Sequence, residues 1–439
     1  MGFPHALRAV GGMVLAGALL FGAPPAAVAD QVREDQWPLK AYDVNAIWNI
    51  SKGRGVTVAV IDDGVDADHQ DLRRNVLKGK SFLDQGEAEL RSGDGHGTSM
   101  AAIIAGHGHG PGNSSGVMGL APEAKILPIA TEGSAGQLVS AIRYAVDNGA
   151  SVINISRGTP DRADAEEEAI AYAFKKDVLV VASSGNEGLG PEGEEYPASY
   201  PGVVSVGAVS SSGEIWEKSN YGPKLMLTAP GVGIVSAGGG TTAFPYRKGT
   251  GTSGATAYVS AAAALLRAKF PDLTAGQIAN RLVKTAGLPP SAKDLSLPDE
   301  KYGYGYIQPL AALQRDIPAG SKNGPLKVPS EAGSDPSAPA SPHPDLDYVD
   351  PNASSWNLPL IGGGFAAFVL LVVGLVVVLT RKKKRPNNFP PPGGPMHGPG
   401  SGGGYAGPAN VGLPHQPPGP YQGQPQQPGA YPPPAPNQP

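Results

Sequence analysis

Three short segments carry side chains suited to acid–base and nucleophilic chemistry. The apolar run of residues 56–61 leads directly into Asp62-Asp63-Gly64, and open α/β sheets gather functional groups at the carboxyl ends of their strands. His96 is set in Gly95-His96-Gly97-Thr98 and followed by the small and apolar residues 99–106. Flanking glycines let backbones approach closely, and small side chains suit a helix packed tightly in an interior. Ser253 lies in Gly251-Thr252-Ser253-Gly254-Ala255, ahead of the alanine-rich run 258–268. That places a hydroxyl at a helix start, where free N–H groups and the helix dipole favour negative charge. Taken singly, each has a plainer reading: a turn-capping Asp, a structural His, an N-cap Ser. Together, a carboxylate, an imidazole and a hydroxyl are the parts that activate a serine for attack on a carbonyl.

The three occur in the order Asp, His, Ser, which is the order of the subtilisin triad. In Val58-Ala59-Val60-Ile61-Asp62-Asp63-Gly64, Gly95-His96-Gly97-Thr98 and Gly251-Thr252-Ser253-Gly254-Ala255 the chain resembles the subtilisin-family (S8) serine peptidases, over residues 53–309. The resemblance implies that Ser253 is the nucleophile, His96 the general base and Asp62 the group that holds the imidazole in its tautomer. It also makes Asn186, in Ser183-Ser184-Gly185-Asn186-Glu187-Gly188, the oxyanion donor beside the Ser253 N–H. An Asn after Gly is otherwise a turn residue. Ser156, Arg157 and Gly158 match the family's strand on which a peptide docks as an added strand. Arg157 stands where the family usually carries an apolar residue, a departure that bears on cleavage preference. Ala257 stands where a proline commonly follows.

Neighbouring residues invite other readings. Asp63 adjoins the triad acid, but the family pattern gives that role to Asp62. His69 resembles a structural turn histidine of the family. His107 and His109 form a His-x-His without a third ligand at metal spacing, so no metal and no cofactor is expected.

To position such a site the chain needs a rigid scaffold. Residues 56–61, 152–155, 178–181 and 203–206 are β-branched runs that read as strands buried on both faces, and residues 137–148 and 163–176 between them have helical composition. Alternating strands and helices imply an α/β fold, a mainly parallel sheet with helices on both faces; the resemblance makes it subtilisin-like.

The flanks speak to location. Residues 1–29 show the basic start, apolar stretch and Ala27-Val28-Ala29 end of a signal peptide. Residues 30–52 form an N-terminal extension, too short for a core of its own, that is expected to pack on the catalytic domain (53–315) through Trp37, Leu39 and Trp48. A Pro/Ser-rich stalk (316–357) precedes the uncharged apolar segment 358–380, which as a transmembrane helix would reach about 34 Å. Arg381-Lys382-Lys383-Lys384-Arg385 then puts the remaining tail (381–439), rich in Pro and Gly, in the cytoplasm and the catalytic domain outside. With no cysteine among 439 residues, disulfides and thiolate chemistry are excluded, and a net charge of −4 gives no reason to expect nucleic acid. This order of segments is similar to the mycosins, proteases associated with type VII secretion, although mycosins often carry disulfides. The implied partners are a protein or peptide substrate, the membrane through a single-pass anchor, and the type VII secretion machinery. A non-catalytic subtilisin-fold scaffold supporting a membrane secretion complex is the alternative.

Overall fold

The computed structural model describes residues 31–83, 87–88, 94–239 and 245–329. The signal segment 1–29, the apolar span 358–380 and the tail 381–439 lie outside them. Among the described residues, no helix is long and apolar enough to cross a membrane.

The scaffold is a seven-stranded sheet in the order β2-β5-β1-β6-β7-β8-β9, with every neighbouring pair parallel. Its strands are β1 (Thr57–Asp62), β2 (Lys80–Ser81), β5 (Lys125–Ala130), β6 (Val152–Ile155), β7 (Leu179–Ser183), β8 (Val203–Val209) and β9 (Leu225–Pro230). The strands read from composition appear within two residues of their expected limits at the start. β5 escapes a pattern reading because Pro128 interrupts it, and proline ordinarily marks a strand as peripheral.

Alternation along each strand divides the core. Val58 and Val60 of β1 face one apolar cluster with Val181, Val206 and Leu227. Ala59 and Ile61 face the other, with Ile129, Ile153 and Val180. The first face is covered by α3 (His96–Ala105) and α6 (Thr252–Lys269), the second by α4 (Ala135–Asp147) and α5 (Asp164–Lys175). α6 is buried along almost its whole length, and its alanines 261–264 let its backbone lie close to the sheet. Among the described residues, two antiparallel pairs complete the strands, β3 (His107–His109) with β4 (Ser115–Met118) and β10 (Ile234–Ala237) with β11 (Tyr246–Gly249).

The N-terminal extension packs onto this body through α1 (Trp37–Ala41) and α2 (Val44–Ile50). Trp37 Nε1 donates to the Val232 carbonyl and Trp48 Nε1 to the Leu120 carbonyl, each at 3.0 Å. Gln36 is buried and its amide bonds both the N–H and the carbonyl of Met118 at 2.9 and 2.8 Å. At the other end, residues 316–326 have the composition of the stalk, yet they pack on α7 (Ala275–Thr285). Leu326 is buried, and Arg281, itself buried, donates to the Arg315 and Ile317 carbonyls. The packed body therefore runs past residue 315, because a buried guanidinium must find acceptors and backbone carbonyls supply them.

Ile47 is 0% exposed and belongs to the same core as the sheet. Ile47→Ala should lower stability by about 2–5 kcal/mol, read from the denaturation midpoint. An unchanged midpoint would show that the extension contributes no packing.

Candidate active site

β1 is the strand from which the sheet grows in both directions, with β5 on one side and β6 on the other. A crevice opens outside the carboxyl ends of strands at such a point. Asp62 is the last residue of β1, Ser156 follows β6 and Asn186 follows β7, while His96 and Ser253 lie in the first turns of α3 and α6.

Asp62 is 0% exposed. A buried carboxylate is costly unless its oxygens are hydrogen-bonded, and this one accepts from three donors. His96 Nδ1 lies 2.9 and 2.8 Å from its two oxygens, the Asp63 N–H 2.9 Å from Oδ1, and Arg157 Nε 3.1 Å from Oδ1. Burial pushes the Asp62 carboxyl up, but the His96 and Arg157 charges with these bonds outweigh it, and the net direction is down. Burial likewise works against a charged His96; the Asp62 carboxylate overrides it and holds the imidazole above its ordinary range.

His96 is placed by backbone geometry. Gly95 caps α3 with φ +84°, a conformation that favours glycine, and a Cβ at Gly97 would stand 2.2 Å from the Gly64 carbonyl oxygen. Asp63 does not touch the imidazole. It accepts from the N–H groups of Asp94, His96 and Gly97 at 3.0, 3.3 and 2.7 Å, tying the start of α3 to the end of β1. Burial, the Asp62 charge and the Asp94 carboxyl push its pKa up to about 6.

Ser253 is held through its backbone by a chain of polar side chains. Ser260 Oγ donates to Asn154 Oδ1 at 2.9 Å, Asn154 Nδ2 to Ser156 Oγ at 3.0 Å, and Ser156 Oγ to the Ser253 carbonyl at 3.1 Å. The Ser253 hydroxyl donates to the Ser156 carbonyl at 3.1 Å. Sequence reading passed over Asn154 and Ser260, although a buried Asn inside Val152-Ile153-Asn154-Ile155 is a signal, since buried amides need partners. Asn186 is exposed to the crevice, and its Oδ1 accepts from the Thr252 N–H and hydroxyl at 2.8 and 3.0 Å. With Oδ1 engaged, the amide turns its other branch, a donor, outward. His96, Asn186 and Ser253 together line one cavity of about 180 Å³.

Residues 53–305 match the subtilase family of S8 peptidases, more than half of the chain. The chain belongs to the subtilase family. It is 38% identical over 271 residues to subtilisin DY of Bacillus licheniformis, covering 60% of this chain and 92% of that protein. Among solved structures it is similar to MycP1 from Mycobacterium smegmatis, with 30% identity and a TM-score of 0.57 over 67% of this chain and 88% of that one. It is also similar to the MycP3 protease from the type VII (ESX-3) secretion system, with 33% identity and a TM-score of 0.55 over 67% and 90% of the two chains. This subtilase is a subtilisin-like serine endopeptidase with mycosins among its structural neighbours.

Arg157, in the segment read as the docking strand, turns its guanidinium to the carboxylates, on Asp62 and 3.9 Å from Asp63 Oδ2. The paired histidines serve the surface: His107 contacts the Gly108 and Arg73 carbonyls at 2.7 and 2.6 Å, and His109 Nδ1 contacts Asp71 at 2.6 Å. His69 fits a structural part, with Nε2 2.8 Å from the Pro245 carbonyl and its ring edge-on to Tyr246. At Ala257 α6 continues without interruption.

The Arg157 charge opposes protonation of His96. NMR titration of the imidazoles should place His96 above an ordinary histidine, and Arg157→Gln should move it higher still. A His96 titration unmoved or lowered in that variant would show that the guanidinium does not act on it.

Proposed function

We propose that this subtilase is a membrane-anchored, extracytoplasmic endopeptidase whose catalytic triad is Asp62, His96 and Ser253. The observation that carries the triad is His96 Nδ1 seated on the fully buried Asp62, with Ser253 and Asn186 lining the same cavity as His96. Rotation about the Ser253 Cα–Cβ bond takes its hydroxyl from the Ser156 carbonyl toward His96 Nε2. Ser253 Oγ then attacks the scissile carbonyl as His96 takes its proton, and Asp62 stabilises the imidazolium. The oxygen of the tetrahedral intermediate receives hydrogen bonds from the Asn186 amide and the Ser253 N–H, where the α6 dipole adds to them. His96 returns the proton to the leaving amine, and water, activated by the same imidazole, hydrolyses the acyl-enzyme. The substrate backbone pairs beside Ser156, Arg157 and Gly158 as an added strand.

Membrane anchoring and type VII association are part of the same proposal. They are supported by the apolar segment 358–380 with its five following cations, and by the likeness to MycP3, from a type VII (ESX-3) secretion system. A scaffold without turnover would have no need of the hydrogen bonds that orient His96 and Asn186.

Ser253→Ala and His96→Ala should each lose about 10⁶ in turnover, and Asn186→Ala about 10²–10³; both magnitudes are those known for subtilisin. Full activity in the first two would exclude the triad. Because the base must be neutral, the acid limb of kcat/KM should fall as pH drops through the raised His96 range. The topology has its own test: protease added to intact cells should cut between the catalytic domain and residue 358 and spare a tag placed after Pro439. Loss of that tag would reverse the orientation.

A further inference from the structure

The two segments that flank the cleft both carry glycine beside the reacting centre, Gly158 after β6 and Gly185 after β7. Glu195 approaches both glycine backbones, at Gly185 together with the closer Asn220 amide. A Cβ at Gly158 would stand 2.6 Å from Glu195 Oε2, and a Cβ at Gly185 would stand 2.2 Å from Asn220 Nδ2 and 2.9 Å from Glu195 Cγ. Gly185 immediately precedes Asn186, so this carboxylate lies next to the donor proposed for the oxyanion.

Glu195 is half-buried, and among the described residues no hydrogen bond or ion pair engages its carboxylate. The nearby Glu187, bonded to the Asn186 N–H and to Asn220, adds a second negative charge; burial and that charge both hold Glu195 above the ordinary carboxylate range. The guanidinium of Arg157 is committed to Asp62 and Asp63 on the other side. A carboxylate so placed is short of a cation.

In the triad reading, the substrate residue whose carbonyl is attacked lies beside Gly158 and Gly185, within reach of Glu195. We infer that Glu195 selects substrates with lysine or arginine at that residue, on the amino-terminal side of the cleaved bond. A long basic side chain lays its methylenes along the glycine backbones and brings its cation to the carboxylate. A bulky apolar side chain would bury the carboxylate without a partner, which is unfavourable. This inference rests on the triad reading and gives it a substrate class.

The test uses the full-length protein and fluorogenic peptides that differ only at this residue. Wild type should cleave Lys or Arg peptides with kcat/KM about 10–100-fold above Leu or Phe peptides. Glu195→Gln should bring that ratio to within about threefold of one, and Glu195→Lys should turn the preference toward Glu peptides. A wild-type preference for Leu or Phe, which needs no variant to fold, overturns the inference, as does a basic preference that survives in Glu195→Gln. Labelling of Ser253 by a fluorophosphonate separates the two levels. Labelled enzyme with an apolar preference sinks the substrate class alone, whereas wild type that neither labels nor cleaves any peptide sinks the triad reading and the inference with it.

Discussion

The carboxylate of Asp62 is wholly withdrawn from water at the end of β1, and the surrounding structure answers that placement. An ionised group in such a position must be met by donors or give up its charge. Here the donors are a histidine, an arginine and a backbone N–H. Each comes from a different part of the chain, so satisfying one carboxylate brings the start of α3 and the end of β6 to the end of β1. The neighbouring Asp63 takes the complementary task and accepts the N–H groups at the start of α3. Two adjacent carboxylates thus divide the work between imidazole and helix end, and Asp63 bears the electrostatic penalty of the arrangement.

Rigidity at Ser253 has a different source. α6 is lined with alanine, so it lies close against the sheet and its first turn reaches the strand ends. Close apolar packing alone would leave rotation and sliding along the axis weakly defined. The buried line from Ser260 through Asn154 and Ser156 to the Ser253 carbonyl supplies direction, because hydrogen bonds are directional where dispersion is not. A buried network of this kind is worth its desolvation only when each member is satisfied.

Arg157 joins the two themes. It lies on the cleft-lining segment after β6, yet its charge is spent on the carboxylates beneath. An apolar residue in place of Arg157 would leave Asp62 with one donor fewer.

Much of this was legible before any coordinates. Asp62, His96 and Ser253 stood out as candidates because strand ends and helix starts carry local signatures, glycine and small residues above all, and β-branched runs revealed the strands that bury both faces. What the tertiary structure alone decided are relations between segments far apart in the chain. That Asp63 accepts the N–H groups at the start of α3 depends on how β1 and α3 meet. Arg157 could be read as a cleft residue until its guanidinium was seen on a carboxylate 95 positions away. The packed residues beyond 315 were hidden because their order comes from Arg281 and from burial of Leu326, not from periodicity. Glu195 carried no motif at all. It gains its place from two glycines in the segments after β6 and β7, whose backbones it approaches, and a one-dimensional pattern holds no record of such proximity.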